Sequence, residues 1–382
     1  MKILYVLSHV QHPTMRGALR YYYFLHGLAR HHAITLLVLA EREVTPQAQA
    51  DWSARAERML IFPIKSASSQ RSIISGSSIR VIGKLARRYQ LATALRKMNK
   101  TFRNLIRRER FDVVLFSGKK VYPVIQGFSE LPVVVDFCDA TTLREGQRLS
   151  YVKGLELAQQ LWRYAVAKRT QRKMLEQTPY LAFISPRDRD AVLEDKGAAV
   201  VIPNGIDLDY WRRTSSHRRA NCIVFTGVMD YPPNQDAALF IIETVLPCLS
   251  LMGSLPDLEV LIVGRDPSAA LLRAGNKHGN VTITGYVEDM RPYLERATVF
   301  IAPIRFASGL QNKILEALAM EVPVVTTPIV AAGVRVDGHL EPPLKVADTA
   351  DEFSGQVLSL LRDEQECSRL GAEGRRFVQA HF

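Results

Sequence analysis

The sequence predicts an α/β protein with two domains, each built around a parallel β-sheet. The chain has 382 residues, of which 47% are hydrophobic and 23% are charged. This size and composition are typical of two globular domains. Short, continuous apolar runs alternate with helical stretches, which is the pattern of buried parallel strands joined by helices. The alternation stops in a polar stretch and then begins again, which predicts the second domain.

The N-terminal half contains seven apolar runs that we interpret as strands. They lie at residues 3–7, 34–39, 59–63, 113–116, 133–136, 180–184 and 200–202. The first run is too short for the apolar part of a signal peptide, so we expect it to be the first strand. A helix is expected from about residue 17 to residue 31, after a loop that contains Arg16 and Gly17.

The C-terminal half repeats the pattern, with predicted strands at residues 222–225, 258–263, 281–284, 299–302 and 322–326. Between the halves lie Pro203-Asn204-Gly205, which are turn formers, and a polar stretch at 207–220. We therefore predict an N-terminal domain at 1–205, a linker at 206–220 and a C-terminal domain at 221–382. Two such sheets are expected to leave a cleft, because open α/β sheets bind ligands at their carboxyl ends.

Charge and cysteine content limit the possible classes of protein. The net charge is +12, and residues 1–200 alone carry 33 Lys and Arg against 16 Asp and Glu. A basic half favours an anionic partner. The four cysteines are widely spaced and include no CxxC pair, which indicates neither a disulfide framework nor a zinc site and suits a cytoplasmic location. No apolar run reaches the length of a membrane-spanning helix.

The most basic segment spans residues 80–110, where eleven Lys and Arg accompany the single acid Glu109. Apolar residues recur every three or four positions, so we predict one or two basic amphipathic helices. The basic face is either only solvated or contacts an anionic lipid surface or a lipid-linked acceptor. Nucleic acid is not expected as a partner, since no aromatic stacking platform or nucleic-acid motif accompanies the charge.

The strongest functional signal runs from residue 302 to residue 325, with the sequence APIRFASGLQNKILEALAMEVPVV. A strand leads into a loop with Ser308 and Gly309, and the loop leads into a helix. Glycine allows a ligand to approach the backbone closely, and the free N–H groups at a helix start attract anions such as a diphosphate. Lys313 and Glu316 share one helix face and suit phosphate and ribose hydroxyls, respectively. An ordinary surface ion pair is the alternative.

This loop and helix resemble the donor site of retaining glycosyltransferases of the GT-B fold, the large family-4 type. The usual pattern there has two Glu separated by seven residues, followed by a Pro-Val-Val strand. Glu316 occupies the second position and Ser308 the first, which is a departure from the pattern. The variant GLQNKILEA more closely resembles the exosortase-associated sugar transferases of bacterial exopolysaccharide systems. The segments VIPNGID, FTGVMDYPPN, IVGR and VEDMRPY agree with it in order.

The resemblance implies a fold of two facing Rossmann-like domains and a role for each donor-site residue. Glu316 would bind the ribose hydroxyls, and Lys313 would lie near the diphosphate. The backbone amides of Gly309, Leu310 and Gln311 would hold that diphosphate. Further donor-side residues, on loops that follow strands, are Gly227, Arg265, Tyr286, Val287 and Ser308.

The resemblance also leaves a charge unaccounted for. The Arg/Lys pair that usually neutralises the diphosphate follows the first strand of the second domain, where residues 228–234 contain no base. Arg265 or Arg305 would supply the charge, unless each is only an exposed strand-end residue. Tyr286 and Val287 would border the nucleobase, with a plain turn as the alternative.

The resemblance places the Arg16-Gly17 loop where this class takes its acceptor or contacts the donor phosphate. His9 is also expected at the cleft and is included with the acceptor, although a lone histidine in a loop is more often neither ligand nor base. Asp136 and Asp139 follow a predicted strand where the family has a His-Asp pair. A carboxylate there could orient the acceptor hydroxyl or act as a base. For Asp139 the alternative is a helix N-cap. The predicted catalytic residues are Asp136, Asp139, Arg305 and Lys313.

These features predict transfer of a glycosyl group from a nucleotide diphosphate sugar to an acceptor hydroxyl. The resemblance implies that the anomeric configuration is retained. The acceptor would be a bacterial glycan or a lipid-linked glycoconjugate. No metal or other cofactor is expected, since Arg, Lys and a helix N-terminus can stabilise the leaving diphosphate. We expect a cytoplasmic protein that contacts the inner membrane face through 80–110. An epimerase of the same architecture and a non-catalytic partner subunit are the alternatives. The resemblance also implies a crossover helix at or beyond Phe382.

Overall fold

The protein is described here by a computed structural model. The structure describes residues 1–13, 19–41, 43–64, 77–193, 199–215, 221–253, 255–336 and 340–382. The chain forms two compact units. The N-terminal unit comprises Met1–Cys138, Ala165–Phe183 and Asp195–Ile202, and the C-terminal unit comprises Asp139–Tyr164, Ile184–Glu194 and Pro203–Phe382. The segments Asp139–Tyr164 and Ile184–Glu194 come from the first half of the sequence but therefore belong to the C-terminal unit.

The described strands confirm every strand predicted from the apolar runs. Their bounds are β1 Lys2–Leu7, β2 Ala33–Ala40, β3 Arg58–Pro63, β4 Val113–Ser117, β5 Val133–Phe137, β6 Leu181–Phe183, β7 Ala199–Val201, β8 Cys222–Thr226, β9 Glu259–Val263, β10 Val281–Ile283, β11 Val299–Ala302, β12 Val324–Thr326 and β13 Lys345–Val346. The last strand was not predicted. It has only two residues, which is too short for an apolar run.

The described helices lie between these strands. Their bounds are α1 Arg20–Leu28, α2 Pro46–Arg55, α3 Ser77–Arg108, α4 Tyr122–Ile125, α5 Thr141–Arg148, α6 Gly154–Gln177, α7 Pro186–Val192, α8 Pro232–Phe240, α9 Leu246–Leu251, α10 Ala269–Gly275, α11 Arg291–Arg296, α12 Asn312–Ala319, α13 Pro328–Val334, α14 Ala350–Arg362 and α15 Glu364–His381. The basic segment forms the single long helix α3. None of the described helices has the length and hydrophobicity that a membrane crossing requires.

Both units contain an all-parallel sheet with the strand order of a doubly wound fold. The N-terminal sheet has seven strands in the order β3-β2-β1-β4-β5-β6-β7, and the C-terminal sheet has six in the order β10-β9-β8-β11-β12-β13. In each sheet the order reverses beside the first strand. Such a reversal leaves a crevice at the carboxyl ends of the strands, which is where open α/β sheets bind ligands.

A buried ion pair supports the carboxyl end of the N-terminal sheet. Asp136, near the end of β5, accepts hydrogen bonds from Arg20 Nε at 3.0 and 3.1 Å and from Arg20 Nη2 at 2.6 Å. Ser117 Oγ donates to the same carboxylate at 3.1 Å. The two charged side chains are only 3% and 0% exposed, respectively. This pair ties α1 to β5 inside the unit.

We expect Asp136→Asn to lower the free energy of unfolding by about 3–5 kcal/mol, because it leaves the Arg20 charge buried without its counter-ion. Urea denaturation measures the difference. The control Glu176→Gln removes an exposed pair with Arg172 and should cost less than about 1 kcal/mol. Equal losses in the two variants would contradict the structural role of the buried pair.

Candidate functional site

The candidate site lies in the C-terminal unit, at the carboxyl ends of β8 and β11, where the strand order reverses. Gly227 follows β8, and there is no room for a side chain on it. A Cβ there would lie 2.6 Å from Asn234 Nδ2 and 3.0 Å from Lys313 Nζ. Gly264, after β9, packs against the Gly227 carbonyl, where a Cβ would lie 1.7 Å from the oxygen. Two glycines therefore bring the loops and Lys313 together.

Lys313 is a largely buried cation with few partners. Its ammonium donates a hydrogen bond to Asn234 Oδ1 and lies 4.6 Å from the centre of the Phe225 ring. Among the described residues no carboxylate forms a salt bridge with it. Burial lowers the pKa of Lys313 to about 7, against the opposing effect of Glu316. A lysine with three donors and one neutral acceptor can bind an anion.

Glu316 lies one helical turn further along α12. Within the described part of the chain, no hydrogen-bond donor contacts its carboxylate. Burial raises the pKa of Glu316 to about 7, against the opposing effect of the Lys313 charge. A buried carboxylate without donors is costly, so it can accept hydrogen bonds from a ligand. Both residues are only partly exposed and no salt bridge joins them in the described part of the chain, so the surface ion pair that was the alternative is not formed there.

The loop before α12 offers fewer free amides than the sequence predicted. The Gly309 N–H, predicted to hold a diphosphate, instead donates to the Asp188 carboxylate at 2.9 and 3.0 Å. The described residues supply no acceptor for the N–H groups of Leu310, Gln311 and Asn312. These three amides, at the start of an eight-residue helix, remain able to bind an anion.

Asp139 is part of a polar cluster beside the same loop. It accepts hydrogen bonds from Thr141 Oγ1 at 2.8 Å, Arg144 Nη1 at 2.9 Å and Ser308 Oγ at 3.2 Å. Arg144 also donates to the Tyr231 hydroxyl at 3.0 Å. The alternative role of Asp139 as a helix N-cap is wrong, since Ala140 holds that position in α5 without a side-chain cap. Its catalytic role stays a prediction.

The two candidate arginines differ in how they are held. Arg305 forms a two-point pair with Asp236, at 2.9 Å from Nε and 2.6 Å from Nη2. It also lies between the rings of Tyr151 and Phe240, at 4.9 and 5.2 Å from their centres. Within the described residues, the one ion pair of Arg265 is with its neighbour Asp266, at 3.3 Å. Arg265 is thus the easier of the two to recruit to a ligand.

The predicted nucleobase segment borders a shallow cavity. Tyr286 is 68% exposed, and Gly285 before it has a positive φ of 67°. The cavity measures about 480 Å³. Its lining consists of Tyr286, Val287, Glu288, Asp289, Pro292, Tyr293 and Arg296. An aromatic ring at the rim of a cavity can stack on a planar ligand.

The acceptor residues predicted from the sequence lie in the N-terminal unit or outside the described residues. Arg16 and Gly17 lie outside the described residues. His9 is exposed and contacts Ser8 Oγ at 2.9 Å and Gln11 Nε2 at 3.2 Å. Asp136 is held in its buried pair with Arg20, an arrangement that suits a structural link between α1 and β5. A catalytic role for Asp136 stays a prediction.

The described residues contain no group of three or more His, Cys, Asp or Glu side chains able to hold a metal ion. Asp207, in the Asp-x-Asp sequence, uses its carboxylate to accept from the Asp209 and Tyr210 N–H groups at 3.1 and 2.9 Å. It therefore stabilises a turn.

Sequence reasoning missed four side chains that shape the site. They are Arg144, Arg187, Asp188 and Asn234. A signal existed for two of them. Asn234 ends the FTGVMDYPPN segment, and Asp188 stands three residues after the helix-capping Ser185. Arg144 and Arg187 are ordinary charged residues in the sequence, and only tertiary contacts single them out.

Comparison with known proteins identifies the class to which this site belongs. Residues 220–363 match the family model described as Glycosyl transferases group 1. The matched region contains Gly227, Arg265, Lys313 and Glu316. No curated protein shows significant sequence similarity to this chain.

Solved structures agree on the fold over the whole chain. HepE of Anabaena, solved with UDP-glucose, has 12% identity and a TM-score of 0.64, with 100% of this chain and 95% of that chain covered. Sucrose-phosphate synthase of Thermosynechococcus elongatus has 15% identity and a TM-score of 0.66, with the same coverage. WaaG, a glycosyltransferase involved in lipopolysaccharide biosynthesis, has 14% identity and a TM-score of 0.64, with 99% and 95% covered.

Together these findings confirm the predicted fold class, two Rossmann-like parallel-sheet domains of the GT-B type. The C-terminal unit contains a glycosyl transferase group 1 domain, and the protein is an enzyme of the glycosyltransferase class. The low identity to the solved structures limits that comparison to the fold.

We expect the double variant Lys313→Met/Glu316→Gln to be more stable than the wild type, with a free energy of unfolding about 1 kcal/mol or more higher. It removes two partly buried charges that have too few partners, and such replacements are often stabilising. Urea denaturation at pH 7 measures the change, with Lys277→Met on an exposed side chain as the control. A loss of more than about 1 kcal/mol would show that the two charges serve stability.

Proposed function

We propose that this glycosyltransferase uses a nucleoside diphosphate sugar as its donor and binds it at Lys313, Glu316 and the start of α12. The observation that carries the proposal is the partial burial of Lys313 and Glu316, together with hydrogen-bonding capacity that the described residues leave unused. Such groups lower stability, so a site that keeps them serves ligand binding.

The chemistry of a nucleoside diphosphate complements this arrangement. Its diphosphate accepts hydrogen bonds and carries negative charge, which suits the Lys313 ammonium and the amides of Leu310, Gln311 and Asn312. Its ribose hydroxyls are donors, which suits the Glu316 carboxylate. Each unused group of the protein thus finds a partner of opposite character.

Arg265 is the second cation that we assign to the donor. Its backbone carbonyl accepts from the Met229 N–H at 2.9 Å, which joins its loop to the loop after β8. Breaking its 3.3 Å contact with Asp266 costs little, because that pair is partly exposed. Arg305 would have to leave a two-point pair with Asp236, so we assign it to structure.

We assign the uracil base to the donor, next to Tyr286 and Val287. Support comes from HepE, a structural neighbour that was solved with UDP, UDP and glucose, and UDP-glucose. The exposed Tyr286 ring lies at the rim of the cavity, where a base can stack on it.

In the proposed reaction, the bond between the anomeric carbon and the diphosphate breaks while the acceptor oxygen bonds to that carbon, and the acceptor hydroxyl gives its proton to Asp139. Lys313 and the α12 amides stabilise the charge on the leaving diphosphate without a metal. Asp139 is assigned to the acceptor hydroxyl, since its carboxylate contacts Ser308 in the donor loop. Retention of configuration and a bacterial glycan acceptor rest on the resemblance to family-4 enzymes.

A cytoplasmic location with contact to the inner membrane face is also part of the proposal. Helix α3 exposes Leu85 and Tyr89 next to the exposed cations Arg87 and Arg88. Apolar side chains beside cations suit the surface of an anionic bilayer. A lipid-linked acceptor would be reached from the same surface.

The donor assignment is tested by a thermal-shift panel with UDP, GDP, ADP, dTDP and CMP. A ligand that binds the native state raises the melting temperature. We expect UDP to stabilise the wild type and to lose this effect in Glu316→Gln. The control Glu243→Gln, at an exposed position of the same unit, should respond like the wild type. An equal UDP response in Glu316→Gln would contradict the assignment.

Proton uptake gives an independent test. With a pKa of about 7, Lys313 is largely neutral at pH 8 in the free protein. A bound diphosphate raises that pKa, so binding at pH 8 should take up protons. Glu316 is already mostly ionised at this pH and contributes little.

The uptake is measured by calorimetry of UDP binding in buffers with different ionisation enthalpies. We expect the observed enthalpy to depend on the buffer for the wild type and to lose most of this dependence in Lys313→Met. A wild-type enthalpy that is independent of the buffer at pH 8 would mean that Lys313 does not bind the diphosphate.

A further inference from the structure

We propose that Arg187 and Asp188 are positioning residues that hold the donor loop, residues 306–311, in the conformation that presents the α12 amides to the diphosphate. This inference rests on the proposed function and extends it to two side chains with no assigned role. Both lie in the first turn of α7, which contacts α13 within the C-terminal unit.

Asp188 holds the N–H side of the loop. Its side chain is completely buried and accepts from Gly309 N at 2.9 and 3.0 Å and from Ala140 N at 2.7 Å. Ser185 Oγ donates to it as well. A carboxylate that receives three donors is stable without a salt bridge. It fixes the direction of the Gly309 N–H and leaves that group unavailable to a phosphate.

Arg187 holds the carbonyl side of the same loop. Its Nη2 donates to the Ala307 carbonyl at 3.2 Å, and its Nη1 donates to the Ile329 carbonyl, next to the start of α13, at 2.9 Å. Burial lowers the pKa of Arg187, against the opposing charge of Asp188. The planar guanidinium can bridge two fixed acceptors, which a lysine ammonium does less well.

A third contact completes the arrangement at Gly309. The residue has a φ of +71°, a conformation that favours glycine. Its carbonyl oxygen lies where a Cβ on Gly333 would approach to 2.9 Å, so only glycine at 333 leaves room for it. The N–H of Gly309 and the carbonyl of Ala307 are therefore fixed by Asp188 and Arg187, respectively, and Gly333 leaves the space that the Gly309 carbonyl occupies.

A loop that Asp188 and Arg187 hold at two points loses little further entropy when a ligand binds, which increases affinity. Arg187 and Asp188, which together we call the clamp, add no net charge to the site, because the positive charge of the guanidinium and the negative charge of the carboxylate cancel. The Leu310, Gln311 and Asn312 amides follow directly after the fixed residue. Their direction toward a ligand consequently depends on Arg187 and Asp188.

The test measures UDP binding by calorimetry for Asp188→Asn and Arg187→Met, with Asp190→Asn and Arg189→Met on the same helix as matched controls. We expect the dissociation constant to rise at least about tenfold in the clamp variants, the effect of losing one charged hydrogen bond. The stoichiometry should stay unchanged, and the controls should bind like the wild type. Arg187→Lys should show an intermediate loss.

A purely structural role predicts a different result, a lower fraction of binding-competent protein with an unchanged dissociation constant. That outcome would overturn the proposal. Tighter UDP binding in Asp188→Asn would also overturn it, since Asp188 would then compete with phosphate for the Gly309 N–H. If Asp188→Asn does not fold, Arg187→Lys and Arg187→Met decide the question.

Failure of the proposed function is distinguishable from failure of the clamp. If the wild type binds no nucleoside diphosphate, or if Lys313→Met binds UDP as the wild type does, the proposed donor site is wrong. The positioning role of Arg187 and Asp188 is then wrong as well. If binding depends on Lys313 and Glu316 but not on Arg187 and Asp188, only the clamp is wrong.

Discussion

The partial burial of one ammonium and one carboxylate, Lys313 and Glu316, at the reversal point of the C-terminal sheet is the constraint around which the neighbouring loops are arranged. Lys313 reaches its position only because Gly227 and Gly264 let two loops approach each other. Asn234 and Phe225 then hold the ammonium in place. Ionisable groups that are withdrawn from water without a full set of partners destabilise a fold. In a glycosyltransferase, a charged donor is the natural source of the missing partners.

The surrounding residues prepare the site so that binding requires little rearrangement. Asp188 and Arg187 fix the backbone around Gly309, and Gly333 leaves room for its carbonyl. Asp236 immobilises Arg305, so that Arg265 becomes the more available cation. Preorganised dipoles and charges of this kind stabilise a leaving diphosphate more effectively than groups that must reorient.

The fold could be predicted from the sequence because buried parallel strands are short apolar runs, whereas β13 is too short to form one. Lys313 and Glu316 could be predicted because their spacing places them on one helix face. The Gly309 amide was assigned to a phosphate, but a carboxylate from α7 occupies it. That contact joins residues 121 positions apart, and neither spacing nor composition contains such information. For the same reason Arg305 was expected to bind the donor, although Asp236 holds it.

A crystal structure of the protein with UDP would show directly whether Lys313, Glu316 and the start of α12 bind the donor, through two sets of distances. We expect Lys313 Nζ and the α12 amides to lie within about 3 Å of diphosphate oxygens, and the Glu316 carboxylate to lie at the same distance from ribose hydroxyls. A diphosphate bound elsewhere, with Lys313 still on Asn234 and Glu316 without a donor, would contradict the account.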